Sequence, residues 1–330
     1  MVNYPARLQL AQTPTPLQLL GRLSREVGGP RIWVKRDDLT GALLSGNKVR
    51  KLEFVLAHAL EQGCDTIITC GGLQSNHCRA TAVLCAQLGL RCHLILRGES
   101  SSPHDGNLLL DYLVGADVRT FPVDVYQKNL TKILREAADE LRDAGRRPFV
   151  IPTGASDGIG LWGYVDACAE LREDFIRYQI EPKHIVCATG SGGTQAGLTA
   201  GVALYGIDAK VWGVAVCDDE NYFINKVRAD LRDWQRLWPQ NILDIEQLPI
   251  YVIDDYMGPA YAKAEPEIFD TIERVGRSEG IVLDPVYTGK AFHGMLSEIE
   301  RGRFDDSNDI VFIHTGGIFG VFPQRAQFQF

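Results

Sequence analysis

The sequence predicts an α/β protein of mostly parallel sheets flanked by helices. Short β-rich apolar runs alternate with segments of helical spacing along almost the whole chain. The runs lack strict in–out alternation, which fits strands buried on both faces. Glycine-rich turns follow several of them. Strand–helix alternation implies βαβ units, and in such sheets ligands gather at the carboxyl ends of the strands.

Each element follows from its local pattern. Thr13-Pro14-Thr15-Pro16 is an extended or turn segment before the first helix, because proline disfavours helical backbone in the residue preceding it. Ile32-Trp33-Val34 reads as a strand. Val49, Leu52, Val55, Leu56 and Leu60 then fall at helical spacing. Strand 66–70 leads through Gly71-Gly72 to a helix over 81–88, and strand 92–96 follows. Segment 108–113 reads as helix, 118–121 as extended, 130–141 as helix and 148–151 as extended. The second half repeats the rhythm, with helix 161–176, strand 184–188, helix 196–204, strands 211–216 and 250–253, helix 291–299 and strand 310–313. The turns after Cys70, Ile151, Ala188 and Ile313 lie at strand carboxyl ends.

Length and composition bound the function. A chain of 330 residues accommodates one large or two medium domains at roughly 100–200 residues each. Hydrophobic content of 45% and charged content of 23% are ordinary for a globular protein. The net charge of −8 disfavours nucleic acid, which requires a basic face. The first thirty residues carry Arg7, Arg22, Arg25 and Glu26 and do not read as a signal peptide. No apolar run is long enough to predict a membrane span. Eight cysteines without close-set pairs predict buried free thiols in a reducing compartment, and hence a cytoplasmic protein. Cysteines and histidines show no metal spacing, so no metal is expected.

Two motifs carry chemistry. Thr189-Gly190-Ser191-Gly192-Gly193-Thr194 follows a strand and precedes a helix. Small residues let successive N–H groups converge on an anion, and the helix N-terminus adds partial positive charge. A dinucleotide fingerprint fails because Gln195 stands where its third glycine belongs, and a Walker loop fails because Asn47 interrupts the Gly-Lys pair. A tight βα connection without a ligand stays open on the loop alone. The second motif is Ser45-Gly46-Asn47-Lys48. Lys48, Arg50 and Lys51 cluster at a helix start, where cations are poorly placed unless something negative is nearby. A lysine amine and a separate phosphate cradle are the two grips an enzyme needs on pyridoxal phosphate, which carries an aldehyde and a phosphate. Gln74-Ser75-Asn76-His77 reads either as a plain helix cap or as a carboxylate site built on the same free amides. Tyr287 in Asp284-Pro285-Val286-Tyr287-Thr288-Gly289-Lys290 and the turn His314-Thr315-Gly316-Gly317 complete the candidates.

Together with Trp33-Val34-Lys35-Arg36-Asp37-Asp38 and Arg50-Lys51-Leu52-Glu53, these motifs resemble the pyridoxal-phosphate enzymes of the tryptophan-synthase β (type II) fold. More closely, the chain resembles the family of D-cysteine desulfhydrase and 1-aminocyclopropane-1-carboxylate deaminase, from Thr13 to Gly317. The resemblance implies two open, twisted, mostly parallel sheets flanked by helices. It implies a larger domain of residues 1–50 and 159–330, a smaller inserted domain of 51–158, and a homodimer. It makes Lys48 the Schiff-base lysine. Lys51 and Thr189, Gly190, Ser191, Gly192, Gly193 and Thr194 would hold the phosphate, and Asn76 the ring hydroxyl. Ser75, Asn76 and His77 would hold the substrate, with Tyr261 and Tyr287 facing it.

Two positions separate the branches of the family. The deaminase branch carries glutamate beside the active-site tyrosine and leucine in the last turn, whereas this chain has Thr288 and Thr315, as the desulfhydrase branch does. A carboxylate beside the ring nitrogen makes a strong electron sink and a threonine hydroxyl a weak one. Loss of a thiolate needs less help than cyclopropane opening. The implied reaction is β-elimination, with Lys48 as the Cα base, converting D-cysteine to pyruvate, ammonia and hydrogen sulfide. Alternatives are sulfite release from L-cysteate, for which Lys263 would offer a cation, and 1-aminocyclopropane-1-carboxylate deamination. Cys78 departs from the desulfhydrase pattern. A non-catalytic pyridoxal-phosphate-binding regulatory protein is the alternative outside enzymes, and Ser75, Tyr261 and Tyr287 argue against it.

Overall fold

The computed structural model describes residues 2–99 and 104–329 and contains two sheets. The larger has the order β1 (Leu17–Leu19), β2 (Arg31–Lys35), β10 (Asp309–Ile313), β7 (His184–Thr189), β8 (Lys210–Ala215), β9 (Tyr251–Ile253). Among the described residues only β1 pairs antiparallel in this sheet. The smaller sheet has the order β5 (Asp117–Phe121), β4 (Arg91–Arg97), β3 (Thr66–Gly72), β6 (Pro148–Val150) and is parallel throughout. This is the mostly parallel α/β architecture the sequence predicts, with the two sheets the resemblance implies.

The helices are α1 (Gly21–Val27), α2 (Lys48–Glu61), α3 (Asn76–Leu88), α4 (Gly106–Leu113), α5 (Val123–Asp143), α6 (Trp162–Tyr178), α7 (Gly193–Tyr205), α8 (Glu220–Leu237), α9 (Pro266–Glu279) and α10 (Thr288–Glu300). Both faces of the larger sheet are covered. Ile32, Val34, Val186, Ile310 and Phe312 pack with Phe292 of α10 and Val275 of α9. Their neighbours Trp33, Ile185, Cys187, Val311 and Ile313 pack on the opposite face with Leu171 of α6 and Leu198 of α7. Alternation is therefore present, but both faces are apolar, so it leaves no hydrophobic–polar signature.

The structure extends some predicted elements and adds others. α3 begins at Asn76, not 81, because Ser75 caps it by accepting a hydrogen bond from the Cys78 amide at 3.2 Å. α7 begins inside the glycine turn, at Gly193. The sequence pattern assigned no helix to 220–237, yet α8 buries a stripe of Phe223, Val227, Leu231 and Trp234 at helical spacing. α9 likewise starts on Pro266 and stops at left-handed Gly280. No helix among the described residues is long and apolar enough to cross a membrane.

A buried ionic network ties the termini of these elements together. Asp37 is fully buried and accepts hydrogen bonds from Arg50 Nε and Nη2, Tyr164 Oη and Thr15 Oγ1 at 2.7–2.9 Å. Arg50 also donates to Glu170, and Lys35 to Asp174. The charges are paired, as burial requires.

Candidate active site

The loops after β3, β7 and β10 and the segment after β6 converge on one cavity of about 430 Å³. It lies at strand carboxyl ends, as the parallel topology dictates. Lys48, Ser75, Asn76, His77, Thr189, Gly190, Ser191, Gly192, Thr194, Tyr261, Tyr287 and Thr315 all line it. Of the sequence candidates, Lys51, Gly193 and Thr288 stand behind the wall.

Lys48 opens α2, and the turn before it is fixed from three sides. Gly46 has φ of 115°, and a Cβ there would stand 2.7 Å from the Thr315 carbonyl oxygen, so only glycine lets the two turns touch. The Gly46 amide donates to the Asp37 carbonyl at 3.0 Å and the Asn47 amide to the Thr315 carbonyl at 3.1 Å. Asn47 Nδ2 donates to Thr194 Oγ1 at 2.9 Å. Among the described residues, Lys48 Nζ has no hydrogen-bond or ion-pair partner. Burial pushes its pKa down to about 8. In protein stripped of cofactor, modification of Lys48 by an amine-directed reagent is expected to rise with pH to a half-maximal rate near pH 8. A midpoint near that of an ordinary lysine, about 10.4, contradicts the burial.

The glycine turn forms a cradle. A Cβ on Gly193 would stand 2.5 Å from Lys51 Nζ and 2.6 Å from Ser156 Oγ. Lys51 Nζ, fully buried beneath the turn, donates to the Gly154 carbonyl at 2.7 Å and to Ser156 Oγ at 2.9 Å. Burial and the nearby Lys48 hold its pKa well below that of an ordinary lysine. Ser156 Oγ also meets Ser191 Oγ at 2.8 Å. The first amides of α7 lack partners within the helix, and the Thr189 hydroxyl is buried with no partner among the described residues. A Cβ on Gly154 would stand 2.6 Å from Ser191 Oγ and 3.5 Å from Lys48 Nζ, so amine and cradle share one small volume. These features fit a phosphorylated aldehyde, with phosphate at the helix N-terminus and a lysine amine for the carbonyl.

The opposite wall belongs to α3. A Cβ on Gly71 would stand 2.6 Å from Ser75 Oγ, so the strand end must be glycine for the cap to close. Asn76 Oδ1 accepts from Asn107 Nδ2 at 2.9 Å. His77 Nε2 meets Thr69 Oγ1 at 2.8 Å, while Nδ1 is buried and, among the described residues, unpartnered. Burial, with Lys48 and Lys51 nearby, pushes the His77 pKa far down and keeps it neutral. Its pairing with Thr69 orients the ring.

Tyr261 and Tyr287 close the cavity, with their hydroxyls 2.5 Å apart. Burial raises both pKa values, and Tyr261 further raises that of Tyr287, so both stay protonated. Lys290 Nζ, fully buried, donates to the carbonyls of Met257 at 2.6 Å and Ala260 at 3.1 Å, stapling the loop before Tyr261 to α10. Thr288 is fully buried and outside the cavity lining. Its hydroxyl donates to Asp284 Oδ1 and accepts from the Asp284 amide, both at 2.8 Å. Lys263 is exposed and outside the cavity lining. Cys78 is buried under Gly71.

The cavity also contains groups the sequence motifs do not single out: Arg97, Tyr126, Thr153, Gly154 and Cys217. Position at a strand carboxyl end was the available signal for Arg97, and the turn after Ile151 for Thr153 and Gly154. Tyr126 comes from the first turns of α5, a helix whose pattern signals only packing.

Fold, lysine-bearing helix start and glycine cradle together define a pyridoxal-phosphate enzyme of the type II fold. A family model for pyridoxal-phosphate dependent enzymes matches residues 8–316, and the chain belongs to that family. It is 40% identical over 333 residues to the mitochondrial bifunctional D-cysteine desulfhydrase/1-aminocyclopropane-1-carboxylate deaminase of Arabidopsis thaliana, covering 96% of this chain and 80% of that protein. It is 38% identical over 338 residues to D-cysteine desulfhydrase of Serratia proteamaculans, covering 99% and 98% of the two. A crystal structure of an ACC deaminase homologue has a TM-score of 0.88 at 38% identity, covering 98% of this chain and 95% of that one. The protein is a pyridoxal-phosphate-dependent lyase of the D-cysteine desulfhydrase and 1-aminocyclopropane-1-carboxylate deaminase group, acting on a small molecule.

Proposed function

We propose that the protein eliminates the β-substituent of a cysteine-like amino acid, with D-cysteine as the first substrate to test, giving pyruvate, ammonia and hydrogen sulfide. One observation carries the choice within the group: Thr315 lines the cavity where the deaminase branch has leucine, and position 288 offers a threonine closed on Asp284, not a glutamate. D-cysteine desulfhydrase activity in the Serratia relative is consistent with this.

Lys48 would hold the cofactor covalently through its aldehyde, the amides of Gly190 to Thr194 would hold its phosphate with Lys51 behind them, and Asn76 would contact its ring hydroxyl. When bound, pyridoxal phosphate supplies an electron sink for charge developing at the substrate Cα. Ser75 and the first amides of α3 hold the substrate carboxylate. The Lys48 amine, substantially neutral near pH 8, takes the Cα proton. The protonated phenols of Tyr261 and Tyr287 face the β-substituent as hydrogen-bond donors. The smaller sheet falls wholly within 66–150 and the larger wholly outside it. That supports our division into an inserted domain of 51–158 and a larger domain of 1–50 and 159–330. We assign the homodimer as the working unit on the family likeness.

The test incubates the holoenzyme with D-cysteine, L-cysteine, L-cysteate and 1-aminocyclopropane-1-carboxylate and assays pyruvate and 2-oxobutyrate. Pyruvate with sulfide from D-cysteine is the expected result. 2-Oxobutyrate from the cyclopropane amino acid, without pyruvate from D-cysteine, overturns the assignment.

A further inference from the structure

We propose that Lys290 is a positioning residue for the reaction: its ammonium fills a cation site made of main-chain carbonyls and thereby holds Tyr261 against Tyr287 at the cavity wall. The inference rests on the reading that these phenols face the β-substituent. Lys290 lies in the first turn of α10, where a cation is poorly placed. Its side chain is fully buried, and among the described residues it forms no ion pair with a carboxylate. The three ammonium protons go instead to three backbone carbonyls, of Met257 at 2.6 Å, Ala260 at 3.1 Å and Val216 at 3.4 Å. Backbone carbonyls are the oxygens that replace the hydration shell of potassium in selectivity filters. A buried amine thus stands in the place of a small ion, tethered to the helix that Tyr287 precedes.

The three oxygens belong to segments that shape the active site. Met257 and Ala260 bracket Gly258-Pro259, and Tyr261 follows directly. Gly258 has φ of 69° and Ala262, which carries a side chain, has φ of 60°. Backbone strained in this way persists only where its surroundings fix it. The Val216 amide donates to the Thr189 carbonyl at 3.1 Å, at the start of the glycine cradle. One ammonium therefore joins the Tyr261 loop, α10 and the strand end beside the cradle. The hydroxyls of Tyr261 and Tyr287, 2.5 Å apart, meet only while loop and helix keep this register. A second cavity, of about 420 Å³, has Lys290 in its wall together with Asp254, Asp255, Glu265 and Glu267. Their charge concentrates small cations, which gives an ion a route to the carbonyls once the amine is removed.

Chemical rescue of the holoenzyme tests this. For Lys290→Ala, kcat and KM for pyruvate release from β-chloroalanine are measured in the chlorides of ammonium, potassium and tetramethylammonium at equal ionic strength. Tetramethylammonium is too large for the vacated site. In that salt kcat is expected to fall roughly 100-fold with KM within about threefold, because the carboxylate site on α3 is untouched. Ammonium or potassium is expected to recover at least about tenfold of the loss and to raise the melting temperature of the variant, while wild type changes less than about twofold. Lys290→Met, whose side chain still occupies the space, is expected to lose as much and recover nothing. A loss in Lys290→Ala that neither small cation recovers overturns the proposal, as does a kcat within about threefold of wild type without them. Should Lys290→Ala not fold in tetramethylammonium, folding in ammonium or potassium is expected, and failure in all three salts overturns the proposal. Absence of pyruvate from wild type refutes β-elimination, and an unchanged kcat in Tyr261→Phe refutes the task given to the phenols. In either case the melting temperatures alone decide whether Lys290 fills a cation site.

Discussion

Lys48→Ala is expected to lower turnover by at least about 10³-fold and to abolish the near-visible absorbance of the bound cofactor. The magnitude follows from the two tasks assigned to one nitrogen, attachment of the aldehyde and removal of the Cα proton. No other amine among the described residues is placed to substitute. Lys51 spends its ammonium on the Gly154 carbonyl and Ser156 beneath the cradle. Lys290 spends its own on the carbonyls of Met257 and Ala260, and Lys226 on Asp230 and the Ser156 carbonyl. Steady-state kinetics and an absorbance scan provide the check. A variant that keeps its colour and turns over within tenfold of wild type excludes Lys48 from both tasks. The phosphate cradle is untouched by this change, so the variant is expected to bind the cofactor weakly and reversibly.

The second large effect is on stability. Asp37→Ala is expected to cost about 3–5 kcal/mol, because it removes the fully buried carboxylate that Arg50, Tyr164 and Thr15 share. Arg50 would keep Glu170, but the Tyr164 and Thr15 hydroxyls would lose their acceptor. Burial alone would raise the Asp37 pKa. The charge and hydrogen bonds of Arg50, aided by Tyr164 and Lys35, outweigh burial and hold it below the usual carboxylate range. A carboxylate depressed in the folded state stabilises fully above its unfolded pKa, about 3.9, and loses that contribution as pH falls through the folded value. The stability gap between wild type and Asp37→Asn is therefore expected to be constant from pH 7 to about 5 and to shrink below about 4. Denaturant titrations at several pH values measure it. A loss under about 1 kcal/mol for the alanine variant contradicts the network's role. Because the Asp37 carbonyl also receives the Gly46 amide, loosening this segment is expected to disturb the turn that aims Lys48.

Local chemistry was legible in the sequence, and convergence was not. The glycine cradle and Lys48 announce themselves because anion binding at a helix start requires small residues in consecutive positions. Trp33-Val34-Lys35-Arg36-Asp37-Asp38 was legible only as part of a resemblance. Its physical role depends on Asp174, 139 residues from Lys35, and Tyr164, 127 residues from Asp37. Thr288 was read as a neighbour of the cofactor, and its hydroxyl is hydrogen-bonded to Asp284 four residues earlier. A turn this tight shows no sign in sequence of which way its hydroxyl points. Lys263 stood near Tyr261 in sequence, but the cation that faces Tyr261 in space is Arg97. It is delivered by a strand of the other sheet, and only the strand order β5-β4-β3-β6 brings it there. α8 was missed for a different reason: its apolar stripe is diluted by charged residues on the solvent face.

Borohydride reduction of the holoenzyme followed by peptide mapping tests the central claim most directly, because it fixes the cofactor to whichever amine holds it. The phosphopyridoxyl mass is expected on the peptide containing Lys48, at one label per chain. A label on Lys51 or any other lysine, or no label on a coloured enzyme, would contradict the site proposed here.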